Sequence, residues 1–474
     1  MNSDPAPHPA KKDKEGLSKS EYIGYALGDT ASNFFFQTFN YFLTYYYVDV
    51  WGIPATVLLW LMPIVRAMGA ADDVIMGLIA DRTNTRWGKF RPYLLFGAVP
   101  YGICGYLMFA GPDLSPDGKV IYAFVTYALM LMSYTVINVP YSSLLGVISP
   151  SPRVRAQAST YRFIGAFSAA LLLMLFVRPL VKYLGAGNEM RGFQLTMAIF
   201  AVISVVLFLI TFATTKERVA PPPQQKTNAK EELGELFRNW PWVTLLIASI
   251  FSNAFTALRA GSMVLYLKYV QGYDNSPFIG VLDRTTVFLA TGALGLVLGT
   301  ICLSPIAAKI DKKYYAAWLS VVTGVCFLSF FFIPKEQYWV LVVANMIAQF
   351  AAGPTSALTW ALYGDVADYG EVKYGRRSTA LVYSASLFAI KTGLLVGGFM
   401  VPLFLDQFGF VRDAVQTTTA VLGLTLAFTI GPGIFALLKA GALFIYPLDQ
   451  KKVDEIEAAL IERRQAAAAA TPSP

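Results

Sequence analysis

Long apolar stretches separated by short charged or Pro- and Gly-containing connections run the length of the chain. They lie near 21–49, 55–80, 90–111, 119–148, 155–182 and 192–215, with a second set near 241–271, 280–308, 314–333, 337–366, 378–408 and 415–446. An apolar helix needs ~20 residues to cross a bilayer, so the pattern predicts an all-α integral membrane protein of twelve transmembrane helices. Between the sets, Lys216–Arg238 contains PPPQQKTNAKEE, the long interior polar segment, which reads as a linker. The expected organisation is therefore a tail (1–20), a six-helix bundle (21–215), a linker (216–240), a second six-helix bundle (241–446) and a C-terminal segment (447–474). In that last segment KKVDEIEAALIERR has helical periodicity and both charge signs, as a short surface helix does, and the closing AAAAATPSP is expected to fray.

Composition narrows the class. Of 474 residues, 55% are hydrophobic and only 14% charged, about half the charged share of a soluble protein, which excludes a soluble two-domain enzyme. The net charge of +8 needs no nucleic-acid partner, because Lys and Arg gather in alternate connections. The two tails and the even-numbered connections carry 25 of them, against 8 in the odd-numbered ones. By the positive-inside rule both termini are cytoplasmic. Cys104, Cys302 and Cys326 lie far apart in apolar runs, implying neither a disulfide framework nor a metal site. The single histidine, His8, lies in the polar tail, which excludes a histidine relay. The tail has no apolar core of a signal peptide and is expected to be disordered and cytosolic.

A duplication relates the two sets of helices. DRTNTRWGKFRP from Asp81, after span 2, has its counterpart in DKK from Asp311, after span 8; Arg153 and Arg155 before Ser159-Thr160 correspond to Arg376 and Arg377 before Ser378-Thr379. The offsets, 230 and 221 residues, agree with one repeat.

Five cations, Arg66, Arg162, Arg259, Lys391 and Lys439, fall inside predicted spans. An ionised group at a helix centre costs ~2.5 to 3.5 kcal/mol even on the lenient insertion scale, so each needs a partner or a use. In span 2, Arg66, Gly69 and Asp73 share one helical face, whereas Asp72 points about 100° away from Asp73. Asp73 lies eight residues before Asp81, roughly 12 Å deep. The pattern fits a cation or proton site, or an ion pair that assembles the bundle. Lys391 in span 11 has no acidic neighbour on its own helix, so its partner is expected across the bundle interface. Asp29 belongs to a proton path or to a packing network. Gln37, Asn40, Tyr134 and Gln157 face a cavity or serve as interhelical hydrogen-bond glue, and Trp360 is a helix-interface residue or a stacking platform.

The runs GDTASNFFFQTFNYFLTYYYVDVWGIPA, DDVIMGLIADRTNTRWGKFRPYLL, NVPYSSL and GDVADYGEVKYGRRSTALVYS resemble the glycoside-pentoside-hexuronide:cation symporters, the melibiose-permease-like branch of the major facilitator superfamily. The resemblance extends from about Tyr22 to Tyr446. It implies two pseudo-symmetric six-helix bundles (the major facilitator fold), a substrate site between them, and alternating access driven by Na+ or H+. By the same resemblance Asp73 matches the second of two carboxylates at a Na+ site, and Gly69 stands where the first would be. Asp72 matches an Asn that influences cation choice, Thr135 a hydroxyl ligand, and Lys391 the lysine beside the cation site. Arg162 matches an arginine that helps bind sugar hydroxyls, Asn33 and Asn138 match two carboxylates, and Ser142 matches the aromatic stacking position. A hard Na+ ion wants several oxygens, whereas a proton needs one titratable group, so H+ is favoured over Na+, with Na+ left open through Asp72. Loss of two carboxylates beside Arg66, Arg162 and Lys391 makes the site relatively more positive. That favours a hexuronide or sulfonated hexose, set against a neutral glycoside or pentoside.

Near the basic connections, Asp81, Arg82, Arg86, Lys89 and Arg91 stand opposite Arg153, Arg155, Asp365, Asp368, Glu371, Arg376 and Arg377 in the repeat scheme. Charges from the two halves form a cytoplasmic gate, or they interact only with headgroups. No catalytic constellation, metal site beyond a possible Na+, organic cofactor or GxxxxGK[ST] loop is present, which leaves a monomeric secondary transporter in the cell membrane (the inner membrane in a Gram-negative cell), with a small sugar-type solute, a coupling cation and membrane lipid as its partners. The alternatives are a lipid or lysolipid symporter or flippase of the same fold, and a sugar sensor that does not transport.

Overall fold

The computed structural model describes residues 17–149, 152–218, 238–273, 276–303, 306, 310–374, 379–412 and 414–470. Fifteen α-helices occur among them: α1 (Lys19–Tyr45), α2 (Ala55–Arg82), α3 (Arg91–Leu107), α4 (Pro116–Val147), α5 (Pro152–Gly185), α6 (Glu189–Thr214), α7 (Trp240–Leu265), α8 (Arg284–Leu303), α9 (Lys312–Ser329), α10 (Tyr338–Ala352), α11 (Thr355–Tyr374), α12 (Thr379–Gln407), α13 (Thr418–Phe428), α14 (Ile430–Ile445) and α15 (Gln450–Ala470). Eight helical stretches are long and apolar enough to cross a membrane by length and composition. Span 1 carries Asp29, Asn33, Gln37 and Asn40 among its apolar residues, and span 2 is represented by the shorter apolar stretch Ala55–Gly69. Span 3 shortens to the 17 residues of α3 and span 10 to the 15 of α10.

Local chemistry sets where the helices start and break. Ser18 and Glu21 close a capping box on α1, and Pro92, Pro116 and Pro241 occupy first-turn positions that need no intrahelical N–H donor. The expected continuous span 10 is two helices, because Pro354 has no N–H to continue the ladder, although Gly353 before it keeps helical dihedrals (φ −47°, ψ −59°). Span 12 likewise divides at Thr429 (φ −107°, ψ −71°), three residues before Pro432. The alanine run does not fray at once: α15 extends to Ala470, as the residue type with the highest helix propensity allows. The N-terminal tail before Leu17 and PPPQQKTNAKEE lie outside the described residues.

Helices α1–α6 pack among themselves, as do α7–α14, and the halves meet chiefly through α1 with α7, α2 with α12, and α5 with α8. Backbones approach closely where side chains are smallest: Gly393 and Gly397 of α12 lie against the carbonyls of Ile250 and Ala254 on α7. The repeat is visible in the backbone. The ends of α1 and α7 both widen into a π-helical turn, Tyr46–Val50 and Tyr266–Val270, closed by Trp51 N–H to Tyr46 O at 2.8 Å and Gln271 N–H to Tyr266 O at 3.1 Å. Gly52 (φ +80°) and Gly272 (φ +69°) then turn the chain in the left-handed region that glycine tolerates.

These two turns lie at the end of the molecule opposite the termini, and there the halves are tied by charge. Asp49 accepts from both Lys268 and Tyr269. Arg178 on α5 meets Asp283 at 2.9 Å, with side chains only 10% and 7% exposed, while the other Asp283 oxygen caps α8 through Thr286 N–H at 2.7 Å. Arg412 donates to the Val50 carbonyl at 3.0 Å. Removing one member of a buried pair strands the other charge. Arg178→Met is accordingly expected to cost about 3–5 kcal/mol, read as a lowered detergent-solubilised unfolding midpoint, and Arg178→Met combined with Asp283→Asn to lose less. Equal losses in the two variants would show that the pair does not hold this end together.

Candidate functional site

The face of α2 that carries Arg66, Gly69 and Asp73 borders a chamber of about 110 Å³, closed by Tyr127, Tyr134 and Thr135 of α4 and by Lys391 and Leu394 of α12. Thr135 donates its hydroxyl to Asp73 Oδ1 at 2.8 Å, and the other carboxylate oxygen takes the Lys391 ammonium from the opposite half. Lys391 also donates to the Gly69 carbonyl at 3.1 Å. Arg66 is held by Tyr127 OH at 3.1 Å and by the Leu394 carbonyl, with Gly398 leaving room for its guanidinium. Asp73 is the single carboxylate among the described residues on the chamber lining; Asp72 is half-buried and is not on that lining. Four groups named from the sequence (Asp73, Thr135, Lys391 and Arg66) thus meet at one point, where a carboxylate sits between a hydroxyl and an ammonium. Arg66, expected among the sugar ligands, belongs to this chamber because α12 carbonyl and α4 phenol oxygens pull it there.

One turn after another along α1 forms a second polar line. Asp29 meets Arg162 Nε of α5 at 3.5 Å, with side chains 11% and 26% exposed. Asn33 donates to the Asp29 carbonyl at 2.8 Å and accepts from Gln37 at 3.3 Å. Asn138 accepts from Ser32 at 3.2 Å and donates to the Tyr134 carbonyl at 3.3 Å, so the α1 and α4 amides stand on neighbouring helices. The Arg162 guanidinium also lies over the Tyr141 ring at 5.4 Å, and Tyr134 stacks on Phe36. Tyr22 donates to Gln157 at 3.0 Å, a link between α1 and α5.

Other expectations fare differently. Ser142 is exposed, and Trp360 packs edge-on to Tyr363 in the core of the second half, so neither borders the chambers described. Of the three cations expected to make the site beside Asn33 and Asn138 more positive, Arg162 is matched by Asp29 and Lys391 by Asp73, whereas Arg66 leans on the neutral oxygens of Tyr127 and Leu394. Among the proposed gate groups, Asp365 pairs within its own half with Lys312 at 3.0 Å, Arg155 donates to the Ser149 carbonyl at 2.9 Å, and Arg86 lies over the Trp87 ring. Asp368 is half-buried. The side chains of Asp81 and Arg153, and Arg376 and Arg377 altogether, lie outside the described residues. The basic loop before α3 is instead organised by Glu217, which accepts from the backbone N–H groups of Lys89, Phe90 and Arg91 at 2.8, 2.8 and 3.0 Å, an anion at the start of α3.

A larger cavity of about 230 Å³ opens between the halves, lined by Gln37 and Tyr41 of α1, by α5, and by α7–α11 with α14. Arg259, only 5% exposed, donates from it to Tyr41 OH at 3.3 Å and to Asn345 at 3.4 Å, and with the Gln349 amide oxygen turned inward it gains bonds of 2.9 and 3.0 Å. Lys439 donates to Ser252 at 3.1 Å. The signal for both was present in the sequence as charge inside an apolar run, but nothing there said that they share a cavity.

Two helical halves around a polar midplane cavity, with an ion pair spanning the seam, define a secondary transporter of the major facilitator class. A family model described as MFS/sugar transport protein matches residues 24–450. The chain is 34% identical over 427 residues to the inner membrane symporter YicJ of Escherichia coli (strain K12), covering 90% of this chain and 91% of the relative. It is 33% identical over 457 residues to the putative glycoside/cation symporter YagG of the same organism, covering 96% and 98%. The solved nucleoside transporter NupG shares the fold, with a TM-score of 0.66 at 13% identity over 90% of this chain and 99% of that one. The chain belongs to the glycoside-pentoside-hexuronide:cation symporter family, and it is a transporter, not an enzyme.

If Asp29 and Arg162 hold each other, Arg162→Ala strands a buried carboxylate and is expected to cost about 1–3 kcal/mol while weakening sugar binding. Thermal melts of Arg162→Ala against Asp29→Asn/Arg162→Ala read the first effect, with the double variant the more stable. Unchanged sugar affinity in the single variant removes Arg162 from the binding site.

Proposed function

We propose that the protein imports a sugar or sugar derivative (a glycoside, pentoside, hexuronide or sulfonated hexose) together with a proton, by alternating access, with Asp73 as the coupling group. The Asp73–Lys391 pair carries this reading: the coupling carboxylate lies on one half and its counter-ion on the other. Protonation of Asp73 removes the charge that holds Lys391, so the α2–α12 seam loosens when the proton arrives and tightens when it leaves. A lone lining carboxylate with Thr135 suits a proton, which needs one titratable group, better than a Na+ ion, which needs several oxygens. Asp72 would have to swing inward to serve Na+.

In this reading the end bearing the termini faces the cytoplasm, in accord with its Lys and Arg content. The cation-tied end with Asp49, Lys268, Arg178 and Asp283 is then the external gate, shut in this structure, and the protein works as a monomer in the cell membrane. Polar groups on the central cavity, Gln37, Arg259, Gln349 and Lys439 among them, favour a hydrophilic solute over a lipid tail.

Reconstitution tests the coupling. Asp73→Asn is expected to abolish accumulation driven by an inward proton gradient in proteoliposomes, while sugar counterflow, which needs no net proton movement, persists. Full accumulation by Asp73→Asn removes the coupling role, and accumulation driven by a Na+ gradient alone replaces the proton with Na+. Absence of counterflow despite measured sugar binding identifies a sensor, and counterflow of lysolipid in place of sugar identifies a lipid carrier.

A further inference from the structure

We propose that Arg259 and Lys439 form the subsite for an acidic group on the substrate, so that the transported solute is a sugar acid: a sugar ring bearing a carboxylate or a sulfonate. The inference rests on the sugar-transport reading above and adds the substrate class.

The other paired cations near the seam and the ends have carboxylates: Lys391 has Asp73, Arg162 has Asp29, Lys268 has Asp49 and Arg178 has Asp283. The central cavity differs. Among the described residues on its lining, Arg259 and Lys439 are the charged groups, and no Asp or Glu is there. Both are buried, at 5% and 6% exposure, and their partners are neutral: Tyr41, Asn345 and Gln349 for the guanidinium, Ser252 for the ammonium. Two buried positive charges in one cavity, with no anion among the described lining residues, are unfavourable in the empty protein. An arriving anion removes that penalty.

The placement is built, not incidental. Ser252 and Arg259 are seven residues apart on α7, hence on one face, and Asn345 and Gln349 are one turn apart on α10. Asn345 is fixed by donating to the Phe288 carbonyl at 3.1 Å, which aims its oxygen at Arg259. Gly292 leaves the space beside Asn345 and the guanidinium that a Cβ would fill. With Nε and Nη2 donating to Gln349, Nη2 also to Asn345 and Nη1 to Tyr41, the guanidinium keeps one Nη1–H for a carboxylate or sulfonate, which competes with Tyr41 for the second, and the ammonium adds a point charge. The sugar ring then faces Gln37 and Tyr41 from α1, and Gln37 continues through Asn33 to the Asp29–Arg162 pair. Such a substrate would touch both halves at once, its acid on α7 and α14 and its hydroxyls toward α1.

Matched pairs of ligands test this on the purified full-length protein: methyl glucoside against methyl glucuronide, and glucose against a 6-sulfonated hexose, each followed by thermal shift over a concentration series. The acidic member of a pair is expected to bind wild type at least tenfold more tightly than its neutral partner. Lys439→Gln and Arg259→Gln are expected to abolish that preference, and Lys439→Arg to retain it. The wild-type comparison stands even if a variant does not fold, and monodisperse elution identifies the variants that do. Neutral sugars binding wild type as tightly as their acidic partners overturn the inference and leave sugar transport standing, as does an unchanged acid preference in folded Lys439→Gln. A protein that responds to no sugar of either kind contradicts both readings.

Discussion

The ion pair between Asp73 and Lys391 joins the two halves where α2 meets α12, and the rest of the arrangement follows from its position. Either charge alone would be costly to keep inside a membrane helix. Together, with Thr135 donating to the carboxylate, they are tolerable only while α2 and α12 stay close. Any ligand that competes with Lys391 for Asp73 therefore acts on the seam between the halves. A proton is the smallest such ligand, and it removes the attraction without needing more oxygens. In the proposed mechanism coupling is a matter of charge balance across the α2–α12 interface, not of a long relay.

The same physics explains the distribution of the remaining charges. At the end opposite the termini, Asp49 with Lys268 and Tyr269, and Arg178 with Asp283, bind the halves through groups that are largely removed from water. Such pairs add little net stability compared with apolar packing, yet breaking one member is expensive, which suits a contact that must be fully made in one state and hydrated in another. At the midplane the cations divide into two sets. Arg162 and Lys391 are matched by carboxylates; Arg66, Arg259 and Lys439 lean on neutral oxygens, and of these Arg259 and Lys439 share the central cavity.

Much of the architecture was legible from the hydrophobic pattern, because a bilayer enforces helices of near-uniform length and permits few interruptions. The breaks at Gly353-Pro354 and at Thr429 were not, since a proline near a helix end and one that divides a span read alike until packing decides. The cluster of Asp73, Thr135 and Lys391 was readable in two parts: burial required a partner for Lys391 across the interface, since it had none on its own helix, and the family resemblance supplied Asp73 and Thr135. Pairing between distant helices was harder. Nothing local in α1 or α5 says that Asp29 will meet Arg162, so Arg162 appeared to leave the sugar pocket positive when it is neutralised. Asp49 and Lys268 were hidden differently, within runs that resemble ordinary helix ends; only the π-helical turns and the shared Gly52 and Gly272 positions reveal them as related halves of one contact.

The most direct test of coupling through the Asp73–Lys391 pair is the pH response of the distance across the far end of the molecule. Spin labels at Tyr183 and Val281, which are 83% and 76% exposed and lie on opposite halves, are placed in a background without Cys104, Cys302 and Cys326, and the distance distribution is recorded by pulsed electron resonance as pH is lowered. With Asp73 intact the distribution is expected to change as the carboxylate is protonated, and in Asp73→Asn to be the same at every pH. An identical pH response in both proteins, or none in either, would contradict coupling through this pair.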